Sequence, residues 1–156
     1  MIKLTRIDDR LMHGQVAFTW TPALGIDCII IANDKVAKDE FQKMTLNLAK
    51  PSSAKLLIKS ITETISFLND ARSVNMKLLV LINSVKDASL LASEVKEIKS
   101  INFGGIRTKE GSRAISKAIA LTEDDISIIK QLSEKGIELE VRQVPSDKKQ
   151  LIETLI

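Results

Sequence analysis

Short apolar runs alternate along the chain with longer stretches in which apolar residues recur every three or four positions. Ile2–Arg6, Lys55–Ile58, Lys77–Ile82, Ile98–Asn102 and Ile137–Arg142 read as strands. Cys28–Ala32 is apolar throughout, as expected for a strand buried on both faces. Between the strands, helices are marked by their starts. Ser60 and Glu63 have the spacing of a capping box ahead of Ile61, Ile65 and Leu68. Ser84 with Asp87 predicts a cap for Ala88–Val95, and Thr122 with Asp125 opens a helix carrying Ile126, Ile129 and Leu132. Gly136 fits the stop of that helix. Ser146, after Pro145, predicts a last helix through Leu151, Ile152 and Leu155. Arg113–Leu121 alternates and reads as an extra strand, with an antiparallel placement open to it. Strand–helix–strand repetition predicts the α/β class: a three-layer, open, mostly parallel sheet with helices on both faces. No linker or repeat divides residues 1–156, so one domain is expected.

Composition narrows the class of function. Apolar residues make up 44% and charged residues 28% of 156 residues, which excludes disordered and low-complexity chains. A chain this long buries roughly 70% of its unfolded surface, and with 3% aromatics the core must be aliphatic. The net charge of +3 is spread along the chain, without the basic stripe or stacking aromatics of a nucleic-acid binder. No apolar run reaches membrane-span length and no signal-peptide pattern opens the chain, so a cytoplasmic protein is expected. One Cys and one His leave neither a disulfide nor a Cys/His metal cluster to expect, and no cofactor motif stands out.

In open parallel sheets, ligands bind beyond the carboxyl ends of the strands. The segment there after the first strand, Arg6-Ile7-Asp8-Asp9-Arg10-Leu11-Met12-His13-Gly14-Gln15-Val16, is dense in charge. Asn33, Asp34, Asn83, Ser84 and Phe103–Arg107 share that rim. His13 precedes a helical stretch, Gln15–Trp20, whose start would favour an anion, and Gly14 gives the backbone freedom beside it. Arg6 and Arg10 can add charge-assisted bonds to phosphoryl oxygens. Asp8 and Asp9 would repel such a group, so their expected role is to orient His13 or hold the two arginines. An imidazole there is a nucleophile near neutral pH, suited to accepting and releasing a phosphoryl group. A structural His capping a turn is the other reading, and at this point both stand.

Cys28 begins an apolar run with no basic loop beside it, so core packing is expected rather than a reactive thiolate. Gly104–Gly105 reads equally as a phosphate approach or a plain turn, and Trp20 as a packing residue. Asn33 and Asp34 read as caps of the following helix, and Lys35, Lys38 and Lys43 as a solvated face.

The Arg6–Val16 string resembles the signature loop of the IIB component of the mannose/fructose/sorbose family of the phosphoenolpyruvate-dependent sugar phosphotransferase system. The resemblance continues through Trp20, Ile31-Ala-Asn-Asp34, Asn102-Phe-Gly-Gly-Ile-Arg107, Leu121-Thr-Glu-Asp-Asp125 and Val144-Pro145. Met12 stands where the pattern usually has Ile, an apolar swap of no consequence. The resemblance implies that His13 is the phosphorylated residue and that Arg10 helps to bind the phosphoryl group. It implies a phosphotransferase without cofactor or metal, supplied by a IIA phosphodonor and serving a sugar held by IIC and IID membrane subunits. This chain would then be cytoplasmic and peripheral to those subunits, with the donor a separate protein because no fused IIA domain is present. Self-association is left open. A histidine phosphatase would need a second active-site His, which this chain lacks. An anion- or nucleotide-binding regulatory module remains as the alternative, and it leaves the nucleophilic His unused.

Overall fold

The computed structural model describes residues 1–156. Strands run β1 Ile2–Asp8, β2 Cys28–Ala32, β3 Lys55–Lys59, β4 Leu78–Ile82, β5 Ser100–Gly105, β6 Ser112–Ala114, β7 Ala120–Thr122, β8 Glu138–Val141 and β9 Gln150–Leu151. Helices are α1 Thr21–Leu24, α2 Glu40–Ala49, α3 Ile61–Leu68, α4 Val85–Glu94 and α5 Glu123–Glu134. A π-helical turn, Val16–Trp20, leads directly into α1. Seven strands form one sheet in the order β3-β2-β4-β1-β5-β8-β9, parallel except for β9, and β6 pairs with β7 as a separate antiparallel hairpin.

Local chemistry accounts for the helix starts. Ser60 and Thr122 both close full capping boxes, with Glu63 and Asp125 returning bonds to the cap amides. Ser84 accepts from the Asp87 amide at the head of α4. Asn33 caps the short turn Val36–Lys38 through the Val36 amide at 2.9 Å. Asp34 reaches across instead to the Ile61 amide of α3 at 2.8 Å, and Asp39 caps α2. Gly136 ends α5 with φ 83°, a left-handed conformation that suits glycine.

Apolar burial lies on both faces of the sheet. The larger core joins Ile30, Val80, Ile101 and Leu139 to α3, α4 and α5. The smaller one packs Ile29, Ile31, Leu79 and Leu81 against Val16, Ala17 and the flank of α2. Each fully buried Ile or Leu contributes roughly 1.5–3 kcal/mol. Cys28 is 2% exposed and lies at the amino ends of the strands. Burial, with Asp27 nearby, pushes its thiol pKa up.

Two expectations change. The helix expected after Ser146 is not formed: Gln150–Leu151 pairs antiparallel with β8, and only a short 3₁₀ turn, Ile152–Thr154, follows. β8 would otherwise leave an open sheet edge, and Ile152, fully buried, anchors the covering segment. Arg113–Leu121 is no single strand. Its two ends enter β6 and β7, with a turn between them.

Candidate functional site

The chain leaves β1 toward β2 on one side of the sheet and β5 toward β8 on the other, so the ligand crevice falls at the carboxyl ends of β1 and β5. Residues Asp9–Gln15 cross that rim. Leu11 and Met12 are 5% and 4% exposed and fasten the loop into the smaller core. Leu11 takes φ 57°, a strained conformation for a side chain of this size, while its amide bonds the Asp8 carbonyl at 2.9 Å. The helical run begins at once, with the Ala17 amide donating to the His13 carbonyl at 3.0 Å. The amides of Gly14, Gln15 and Val16, in the first turn of that run, therefore have no intrahelical acceptor.

His13 lies on the rim with 15% of its side chain exposed, and its Nε2 is 2.7 Å from Asp8 Oδ2. Asp8 has no exposed surface. Its carboxylate also accepts from Arg6 Nη2 and from the Arg10 amide, both at 3.1 Å. Burial alone would raise the Asp8 pKa, but the bonds from His13 and the Arg10 amide, with the His13 and Arg6 charges, overcome it and hold the carboxyl below its usual range. Asp8 is thus an ionised acceptor fixed under the imidazole.

Arg6 lies beneath the loop, fully buried. Its Nη1 donates to Asn102 Oδ1 at 2.7 Å and to the Arg142 carbonyl at 3.1 Å. Burial lowers its pKa, and Asp8 opposes that effect. Glycine is required opposite it: a Cβ on Gly104 would stand 2.0 Å from Arg6 Cζ. Gly104 is the unpaired residue of a bulge, since Ile7 pairs with Phe103 but Asp8 with Gly105. Trp20, 1% exposed, has the Arg6 and Arg142 guanidinium groups 5.4 and 5.2 Å from its ring centre and donates to the Gln143 carbonyl at 2.9 Å.

The remaining candidates sort themselves around this centre. Arg10 is half exposed, its Nε 3.7 Å from Asp8 Oδ1, so its fork is free to face solvent. Asp9 serves another cation, accepting from the Arg107 amide at 2.8 Å and from Arg107 Nε at 3.0 Å, which ties the loop after β5 to this one. Gly14 is exposed and Gln15 half-buried. A cleft of about 380 Å³ opens alongside, lined by Arg10, Gly105, Arg107, Lys117 and Gln143. Asn102, Glu140 and Arg142 were not singled out from the sequence as site residues, whereas Gly104 was read equally as a phosphate approach or a plain turn. Their signal was a polar residue inside an otherwise apolar strand, as in Ile101-Asn102-Phe103 and Leu139-Glu140-Val141.

The family model of the PTS system sorbose subfamily IIB component matches residues 2–156. The chain belongs to that family. The IIB component is 38% identical over 137 residues to a probable phosphotransferase enzyme IIB component of Streptococcus pyogenes serotype M6, covering 85% of this chain and 84% of that one. It is 35% identical over 146 residues to the fructose-specific EIIB component of Bacillus subtilis, covering 94% and 90%. Among solved structures it is similar to the IIBSor domain of the sorbose permease from Klebsiella pneumoniae, with TM-score 0.92, 30% identity and coverage of 97% and 93%. The IIB component is thus a phosphotransferase of the sugar phosphotransferase system, in a phosphoryl-relay role in sugar uptake alongside IIA and IIC partners. No helix of it is long and apolar enough to cross a membrane.

Proposed function

We propose that residues 1–156 act as a single IIB unit whose His13 accepts a phosphoryl group from a phosphohistidine of the IIA partner. His13 then delivers the group to a sugar hydroxyl presented by the IIC and IID membrane subunits, with this chain bound peripherally to them. The observation that carries the reading is the 2.7 Å bond between His13 Nε2 and the buried, ionised Asp8. A carboxylate only accepts, so in the neutral imidazole Nε2 carries the proton and Nδ1 keeps the lone pair. Nδ1 is therefore the nucleophile. As it bonds phosphorus, the donor's nitrogen–phosphorus bond breaks and positive charge develops on the ring, which Asp8 stabilises. Arg10, with its half-exposed guanidinium, supplies charge-assisted bonds to the phosphoryl oxygens. Gly14 and Gln15 add the unpaired amides of the helix start. Arg6 has no exposed surface and acts through Asp8, while Asp9 holds the neighbouring loop through Arg107. The relatives include fructose-, mannose- and sorbose-specific components, so the family spans several sugars.

The test is phosphodonor labelling. His13→Ala takes up no acid-labile phosphoryl group, whereas Cys28→Ala labels as fully as the unaltered protein. The second outcome follows from burial at the amino end of β2, roughly 13 Å along that five-residue strand from the carboxyl-end rim. Label retained in His13→Ala would refute the reading.

A further inference from the structure

Arg6, Asn102 and Glu140 are register partners across three adjacent strands: Arg6 pairs with Asn102 and Asn102 with Glu140. Each is a polar residue in a buried stretch of its strand, with exposures of 0%, 1% and 3%. Side-chain bonds follow the same line. Arg6 Nη1 donates to Asn102 Oδ1 at 2.7 Å, Asn102 Nδ2 donates to Glu140 Oε1 at 3.1 Å, and Glu140 takes a two-point bond from Arg142, each at 3.0 Å. With Asp8 at the other end, the ladder holds two acids and two guanidinium groups, so its formal charges cancel.

Stability does not explain so many buried charges. Replacing buried ion pairs by apolar residues of like volume is often neutral or favourable. The same face of the sheet does carry Ile29, Ile31, Leu79 and Leu81 on β2 and β4. Polar residues replace them only on β1, β5 and β8, the strands whose carboxyl ends lie under the His13 loop. What the ladder specifies is direction. Arg6 has room for one placement, bounded by Gly104, Trp20 and the Asn102 oxygen, and that placement aims Nη2 at Asp8 Oδ2, the oxygen bonded to His13.

We propose that Asn102 and Glu140 are positioning residues for phosphoryl transfer: through Arg6 and Asp8 they hold the His13 ring with Nε2 tied down and Nδ1 presented. The proposal rests on His13 as the acceptor. It can be tested without the sugar-uptake partners, using phosphoramidate as a chemical phosphodonor. In that reaction the donor's nitrogen–phosphorus bond breaks, a bond from phosphorus to an imidazole nitrogen forms, and ammonia leaves. His13 is the sole histidine, so one ring gives every imidazole signal.

In the unaltered protein, ¹⁵N spectra taken at a pH where the ring is neutral show its one proton on Nε2, and ³¹P spectra show one phosphohistidine isomer, at Nδ1. Asn102→Leu and Glu140→Leu keep side-chain volume but cut the ladder, so phosphorylation slows by roughly 10–100-fold, the range for loss of an orienting partner. Both isomers then appear. Glu140→Gln keeps an oxygen for Asn102 Nδ2 and stays within about threefold of the unaltered protein with a single isomer. A folded Asn102→Leu protein with unchanged rate and one isomer would overturn the proposal. So would a ring protonated at Nδ1 in the unaltered protein, a measurement that needs no variant to fold. Label retained in His13→Ala would instead refute the acceptor assignment, and the two failures are distinct.

Discussion

Replacing Gly104 with Ala tests whether the Arg6 guanidinium is held as tightly as the geometry demands. The added methyl group would meet Arg6 Cζ, Nη2 and Nη1 at 2.0, 2.2 and 2.4 Å, so two van der Waals spheres would occupy one space. Elsewhere a long side chain would swing aside. Here Arg6 is fully buried and lies against Trp20, with Nη1 and Nη2 engaged by Asn102 and Asp8. Moving it breaks a buried ion pair, which costs about 3–5 kcal/mol when one partner is left uncompensated. That is a large share of the roughly 5–15 kcal/mol that stabilises a typical domain. At about 2–4 °C per kcal/mol for a chain of this size, the melting temperature falls by roughly 6–20 °C. Urea unfolding followed by Trp20 fluorescence reads the change, with Gly105→Ala as the control. A methyl group there comes no closer than 3.4 Å to Asp8 Oδ1, and less than about 1 kcal/mol is lost. Equal unfolding midpoints for the two variants would refute the claim that Arg6 is immobile.

Asp8→Asn should flatten the acid limb of the stability curve. The folded-state pKa of Asp8 is held below its ordinary value, so its contribution is complete above about pH 4 and disappears as pH falls through the folded value. Urea midpoints of the two proteins therefore converge as the solution is acidified, and parallel curves would contradict the assignment. Arg10→Lys keeps the charge but loses the fork. Transfer from phospho-IIA falls about tenfold, the equivalent of one charge-assisted bond, while stability stays within about 0.5 kcal/mol because the side chain is half exposed. Unchanged transfer would remove Arg10 from the phosphoryl site.

Much of this was legible locally. Strand positions followed from apolar runs, and the Ser60 and Thr122 capping boxes formed as their spacing predicts. Charge density around His13 marked the rim, and the position of Cys28 in an apolar run marked it as core. What escaped local reading depends on partners far along the chain. Asn102 and Glu140 lay within predicted strands, with nothing in their neighbourhood to show that Asn102 is the register partner of Arg6, 96 positions away, and Glu140 that of Asn102. Arg6 itself, read as a phosphoryl ligand, faces inward because residue alternation along β1 places it with Asp8 on the face under Trp20. The expected last helix failed for a similar reason. Its cap chemistry at Ser146 is local, whereas the open edge of β8 that draws Gln150–Leu151 into the sheet is not.

The polar ladder also sets when the molecule becomes competent. β1 carries the reactive loop within the first 15 residues, yet the groups that aim it arrive with β5 and β8, near the end of the chain. Contacts of such long sequence separation form late, after loop-closure entropy has been overcome. On the proposed reading, a nascent or partly unfolded molecule displays its imidazole without the orientation that makes it reactive. Phosphoryl acceptance then reports that assembly has finished, and immature copies stay out of the phosphorylation traffic.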